Sequence, residues 1–386
     1  MGSTTTVMET EFTEQFKKFL EAENNAGLRK LRLDAFAAFT EIGFPTQKNE
    51  DWKYTSIAPI SKEEWAIPLS APDFSSAADE KSGEQIAAFN YRRNGFAALN
   101  LAFADFKVIR IAKDKSVQEP IELSFAAAEY SAIFPHILIV AEAGSKATIV
   151  ESYASGAKGF TNTAVQIVVG DNANLTHYRV QKDSVEAFNV GTTEVTLGRD
   201  SRYDSTNINL GAALSRHDID LKFTAEGGEA WVDGLYMLNG TQHSDTHSVI
   251  DHTVPNCTSH QDYKGVLNDH SRGVFNGKVF VRENAHGTDA KQSNKNLLLS
   301  NDARVDTKPQ LEIFNDDVKC AHGATVGQLE EEELFYLLTR GLPDALARNL
   351  LTYGFAEAII RKIGIGSIKA DLDEAVLNRL NVKLEV

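Results

Sequence analysis

The sequence predicts a mainly β protein with flanking α: a parallel β-helix, or solenoid, between an N-terminal and a C-terminal helical region. Three observations lead there. Both ends of the chain carry apolar residues at spacings of three and four, the period of an amphipathic helix. Between them the chain breaks into short β-branched runs separated by Gly, Asn and Asp, which is strand and turn chemistry. Those runs repeat. Sliding the chain on itself by 28 residues sets Ile137, Val165, Thr193, Leu221 and Val249 in one column. Ile139, Ile167, Val195 and Phe223 fall in a second, and Ala141, Val169, Leu197 and Ala225 in a third. Columns two residues apart point to one side of a strand, so the same side recurs at each repeat. Stacked apolar columns at one fixed period are the mark of coils laid on coils, whereas a sandwich or barrel needs no single period.

Taken in order, Phe12, Phe16, Phe19 and Leu20 mark a first helix, and Leu28, Leu31, Ala35, Ala38, Phe39 and Ile42 a second. Gly43 suits the end of the second, and Pro45 cannot continue it. "PTQKNEDWKYTSI", Pro45 to Ile57, is aromatic and charged without a period. Residues 68–92, rich in Ala, Ser, Asp and Glu, read as surface loop, so 1–92 forms an N-terminal helical region and linker. Strand chemistry starts at about Phe96, and the β-helix core is expected over 93–324. The turns "AGSKA", "DNANL", "RDSRY" and "GGEAW" begin at 143, 171, 199 and 227. After residue 255 turns recur at intervals of about 14 to 17, which means either a narrower coil or a repeat of two half-turns. From Thr325 three helices close the chain over 325–386, with Pro343 opening the second, where a missing N–H leaves nothing unpaired. They are placed to cap the last coil, whose open strand edge would otherwise template aggregation. The third also offers Leu372, Val376, Leu377 and Leu380 to the solenoid or to another protein.

A formal charge of -15 argues against a nucleic-acid surface, and no run approaches the roughly 18 apolar residues of a membrane span. Two cysteines, Cys257 and Cys320, fit a reducing compartment. The start of the chain lacks a secretory apolar core and a transit-peptide composition, so a cytoplasmic setting is expected. Gly2 with Thr6 matches a myristoylation pattern that small polar starts often produce by chance.

No Gly-x-x-x-x-Gly-Lys-Ser/Thr, no Gly-x-Gly-x-x-Gly after a strand and no His-Glu-x-x-His occurs, so the chain is not expected to hydrolyse ATP itself. Eight of the ten histidines, His217, His243, His247, His252, His260, His270, His286 and His322, lie between 217 and 322. Such clustering invites a metal reading, set against histidines that cap strands and bond backbone. In "VKCAHGATVG", Val318 to Gly327, Cys320 and His322 point to the same face of an extended segment. Thiolate and imidazole are ligands for zinc, copper or cluster iron. One Cys and one His cannot complete four ligands, so any cluster would draw on another chain. The alternative is a small buried Cys beside a hydrogen-bonded His. Acidic residues in "SRHDID" and "FTAEGGEAWVDG" leave a third reading, paired carboxylates of a polysaccharide-acting β-helix, although any soluble solenoid carries a solvated acidic face.

The chain resembles the SufB/SufD family of iron-sulfur cluster assembly proteins. The resemblance rests on "PTQKNEDWKYTSI", on "HSDTHSVIDHTVPNCTSHQDYKGVLNDHSRGVFNGKVFV" from His243 to Val281, and on "DAKQSNKNLLLSNDARVDTKPQLEIFNDDVKCAHGATVGQL" from Asp289 to Leu329. "LTRGL" and "GFAEAII" in the terminal helices add to it. SufB-type chains are usually longer with extra cysteines, so two cysteines and a short N-terminal region place this chain nearer the SufD branch. The resemblance implies a right-handed parallel β-helix core that pairs with SufB, and a C-terminal helical domain that holds the ATPase SufC. It implies a non-catalytic scaffold, with a nascent iron-sulfur cluster at the SufB/SufD interface and ATP entering only through SufC. The histidine of the "CAHG" turn looks like a cluster ligand beside cysteine and glutamate from SufB, and it maps onto His322. Cys320 is the second candidate, and Cys257 is assigned to the core. A reduced flavin follows from the family alone, since the chain has no flavin motif, and a homodimer without SufB is left open. A self-sufficient metal-binding β-helix is the alternative, and a polysaccharide-acting enzyme the third reading.

Overall fold

The computed structural model describes residues 4–68 and 80–380. Gly2 and part of the expected linker lie outside them. Helices α1 (Thr4–Glu21) and α2 (Ala26–Ile42) stand where the periodicity put them, and the Asn25 side chain caps α2 by accepting from the N–H groups of Gly27 and Leu28. Gly43 at φ 67° closes α2. The short α3 (Ala58–Ser61) follows the aromatic segment, and α4 (Glu80–Ala87) occupies part of what read as loop. A second departure is α5 (Gly95–Phe103), a helix where strand chemistry was expected to begin. Every residue of α5 is buried, so it shows no amphipathic stripe. Its Ala and Leu content favours helix, and Asn94 caps it through the Ala97 N–H.

Two parallel sheets then wind around each other. One contains β1 (Asp105–Ile111), β4 (Pro135–Ala141), β6 (Phe160–Val169), β8 (Phe188–Leu197), β10 (Leu214–Phe223), β12 (His243–His252), β14 (Arg272–Val281) and β16 (Arg304–Ile313), with β3 (Ala132–Ile133) beside β6. The other contains β2 (Ile121–Phe125), β5 (Lys146–Tyr153), β7 (Asn174–Gln181), β9 (Arg202–Asn209), β11 (Glu229–Leu238), β13 (Thr258–Leu267), β15 (Thr288–Leu298) and β17 (Val318–Gly327). From β4 onward successive strands alternate between the sheets, which makes the parallel β-helix read from the repeat. Each coil holds two half-turns, so the short turn spacing after residue 255 reflects half-turns and not a narrower coil.

The register refines the 28-residue columns. Ile137 faces Val165 and Val165 faces Thr193 as expected. Thr193 then faces Ile219, Leu221 faces Val195, and Ala225 falls beyond β10. A slip of two residues preserves the side to which each side chain points, which is why apolar residues still lined up in the sequence. Ser248, not Val249, continues the inward column, because Val249 faces the outward Asp220. The last coils are wider: Thr258 faces Asp289 and Arg272 faces Arg304.

One corner repeats in backbone as well as sequence. Asp114, Gly144, Asn172, Asp200, Gly227, Asn256 and Gly287 all adopt the left-handed conformation, with φ between 50° and 78°. A Cβ on Gly227 would lie 2.0 Å from Asp200 Oδ1, so the stack needs glycine there.

The interior is apolar on one side, where Ile137, Val165, Ile219 and Leu221 meet Ile149, Leu175 and Tyr203. It turns polar on the other: Tyr153 donates to Glu151 Oε2 at 2.7 Å, and His177 Nε2 lies 2.7 Å from Glu151 Oε1. The outer faces of the sheets hold the helices. The aromatic cluster of Phe12, Phe16, Phe39 and Phe103 packs on Leu138, Phe160, Phe188 and Leu214. Ala356, Ile359, Leu372 and Val376 of α7 (Asp344–Ile360) and α8 (Gly366–Arg379) pack on Val150, Ile208, Leu235 and Val266. The C-terminal helices therefore do not cap the last coil. An apolar helix stripe seeks an apolar sheet face, and β5 to β13 supply one along their flank. β17 is left with most of its residues exposed.

Candidate functional site: the uncovered last coil

β17 is an end strand, bonded on one side only, to β15. In register, Cys320 faces Ala290 and His322 faces Gln292. Both therefore belong to inward columns of the solenoid, with no further coil laid over them. Beneath His322 the column is a carboxamide ladder: Gln292 Nε2 donates to Gln261 Oε1 at 2.7 Å, and Gln261 Nε2 donates to Ser248 Oγ at 2.7 Å. Gln292 Oε1 is buried without a partner among the described residues. His322 is exposed and Cys320 half-buried. Cys320 packs against the interior apolar cluster, and burial pushes its thiol up from the ordinary value. Among the described residues no three His, Cys, Asp or Glu side chains converge as a metal site. The last coil thus offers two donors on one face, too few by themselves for a closed four-ligand metal site.

Cys257 lies elsewhere. It is fully buried, its Sγ 3.3 Å from the Pro255 carbonyl, and its thiol is raised by desolvation. Its backbone position is one before Thr258, on a strand two coils in from β17, so it packs the core.

The other clustered histidines are dispersed along the solenoid. His217 Nε2 lies 2.9 Å from Thr193 Oγ1, and desolvation holds its pKa well below the usual value. His243 lies 2.8 Å from Thr55 Oγ1, His247 3.0 Å from Asp245, and His252 2.8 Å from Ser259 Oγ. His260 stacks on Trp231 at 4.3 Å, exposed His270 lies 3.7 Å from Asp302, and the His286 carbonyl accepts from the Asn256 N–H. The carboxylates of the sugar-cleaving reading are engaged too. Asp218 and Asp220 face Arg216 and Arg93, and Asp233 holds Lys362 at 2.7 Å. Burial raises Asp233 to about 6 despite that lysine.

Two features were missed in the sequence. The Gln261–Gln292 ladder has no local signal, because its partners lie 31 residues apart in a coil that departs from the 28-residue step. The second is a set of exposed apolar side chains on α6 (Glu331–Thr339) and α7, where Phe335 is 67% and Tyr336 56% exposed, with Leu338 on α6 and Leu350 on α7 also exposed. "LFYLL" was its signal, read only as helix periodicity.

Comparison with known proteins places the chain in a family. Residues 124–355 match the family model described as SUF system FeS cluster assembly, SufBD core domain, and residues 6–90 match the SufBD protein N-terminal region. The iron-sulfur cluster assembly protein SufD of Escherichia coli is 30% identical over 386 aligned residues, covering 89% of this chain and 90% of that one. A SufBD family protein of Synechocystis is 38% identical over 73% of this chain, and the match spans 65% of that protein's length. SufD of Bacillus subtilis is 29% identical over 68% of this chain and 61% of its own. The chain belongs to the SufBD family of iron-sulfur cluster assembly proteins, on its SufD-like side.

Proposed function

We propose that the chain is a non-catalytic scaffold subunit of a SUF assembly complex. It pairs through its last coil with a SufB-type chain and through α6 and α7 with a SufC-type ATPase. The observation that carries this reading is β17, an uncovered strand that sets His322 and Cys320 in adjacent inward positions at the end of the solenoid. An unpaired strand edge invites another strand. Two donors beside that edge can hold part of a nascent iron-sulfur cluster while the partner supplies the rest, with His322 as the ligand and Cys320 as the second candidate. Phe335, Tyr336, Leu338 and Leu350 give the ATPase an apolar docking surface, and ATP acts only through that subunit, because this chain lacks a phosphate-binding loop. The same edge can pair two copies of this chain when no SufB-type partner is present. Two free cysteines suit a cytoplasmic setting. We assign no flavin site to this chain.

The test is co-expression with SufB-type and SufC-type partners, comparing wild type with His322→Ala. Both complexes should assemble, and the variant should lose most of the iron and acid-labile sulfide per complex. Equal loading would remove His322 from the ligand set, and failure of the wild type to assemble would sink the scaffold reading.

A further inference from the structure

A cleft of ≈ 500 Å³ lies between the C-terminal helices and the end of the sheet formed by β11, β13 and β15. Met237, Leu298, Leu334 and Leu380 give it an apolar wall, and Arg379, the last residue of α8, enters it. Arg379 Nη1 donates to the Met237 carbonyl at 2.7 Å and to Gln242 Oε1 at 3.4 Å. Its Nε and Nη2 have no acceptor, and no carboxylate pairs with it, among the described residues. Three other buried or part-buried guanidinium groups are matched by carboxylates, Arg32 with Glu23, Arg93 with Asp220, and Arg216 with Asp218 and Asp245, whereas buried Arg179 is held by the amide oxygens of Gln181 and Asn189. Desolvation lowers the Arg379 pKa with no acid to offset it.

A half-buried guanidinium with one edge unpaired among the described residues is open to an anion entering the cleft. The free Nε and Nη2 edge is a fork whose parallel N–H groups match the two oxygens of one carboxylate. The cleft's size lies within the roughly 300–1,000 Å³ of small-molecule sites. We propose that this cleft binds a small amphiphilic carboxylate, its head on Arg379 and its apolar body against Met237, Leu298, Leu334 and Leu380. Glu331, a carboxylate in the lining, is exposed on α6, where water screens it. The site is distinct from β17 and stands whether or not the chain serves as a scaffold. Its occupant bridges α6, α8 and the solenoid and so raises the melting temperature.

The experiment is calorimetric titration of the full chain with octanoate, beside acetate and inorganic phosphate. Octanoate should bind once per chain, with acetate and phosphate weaker by about tenfold or more, since they lack the apolar body. Arg379→Gln should weaken octanoate by about tenfold or more, the loss of a charge-assisted fork. Asn268→Asp, whose side chain makes no hydrogen bond among the described residues, adds a negative charge to the lining and should weaken it without disturbing the fold. Retention of octanoate by both variants, tighter binding of phosphate, or no binding by the native chain would each overturn the assignment.

Discussion

Arg216 lies over Trp52 at 3.9 Å, donates to Asp245 at 2.7 Å and to the Asp51 carbonyl at 2.6 Å, and pairs with Asp218 at 2.9 Å. One buried cation thus fastens the N-terminal aromatic segment to the solenoid. Removing it strands two buried carboxylates, so Arg216→Ala should cost about 3–5 kcal/mol, measured by denaturant unfolding. Glu194 sets the pH response of the same face. Burial first, and then Asp220, push its pKa from 4.5 up to about 7, against the pull of Arg93 and the Asn90 N–H. A raised carboxyl pKa means that the native state keeps a proton that the unfolded chain releases first. Stability from this group therefore falls as pH rises from about 4.5 to 7 and is level above that. Asp233, raised to about 6 on the opposite sheet, acts in the same direction. Glu194→Gln should flatten part of the fall in melting temperature between pH 5 and 7.5, and an unchanged profile would show that Glu194 titrates normally. Little of this was legible in the sequence. Trp52 and Arg216 stand in separate motifs, and only the fold brings Asp51 and Arg216, 165 positions apart, into contact.

At the scale of the element, the coil corner depends on its left-handed positions. Gly227→Ala combines a strained φ of 78° with a Cβ against Asp200, and it should destabilise by at least about 1 kcal/mol. The same change at Gly323, where an added Cβ meets nothing within 4 Å, should be far milder. Both are read by thermal unfolding. The surface of α6 carries a separate prediction. Phe335→Glu with Tyr336→Glu should abolish binding of a SufC-type ATPase and leave the melting temperature within about 2 °C, because both side chains are mostly exposed. Amphipathic helices such as α1 and α2 were readable because water and core alternate along them. α5 was not, because burial on every side erases that alternation.

At the scale of the whole molecule, the solenoid carries helices on both outer faces and leaves its last coil uncovered. The two proposed interfaces are therefore separable. Ile313→Lys with Val326→Lys, at 41% and 48% exposed positions on β16 and β17, should prevent pairing with a SufB-type chain while ATPase binding persists. Pull-down of each partner checks this, and joint loss of both partners would show that one interface depends on the other.

The sequence by itself determined the solenoid, its flanking helices and the placing of Cys320 and His322 on one face of a strand, because periodicities of two, of three to four, and of a coil are local patterns of water and core. Tertiary structure alone decided the two-residue slip at β10, the flank on which the C-terminal helices settle, and the bareness of β17. Strand parity survives a slip of two, and an apolar stripe fixes that a helix is buried without naming the surface that buries it.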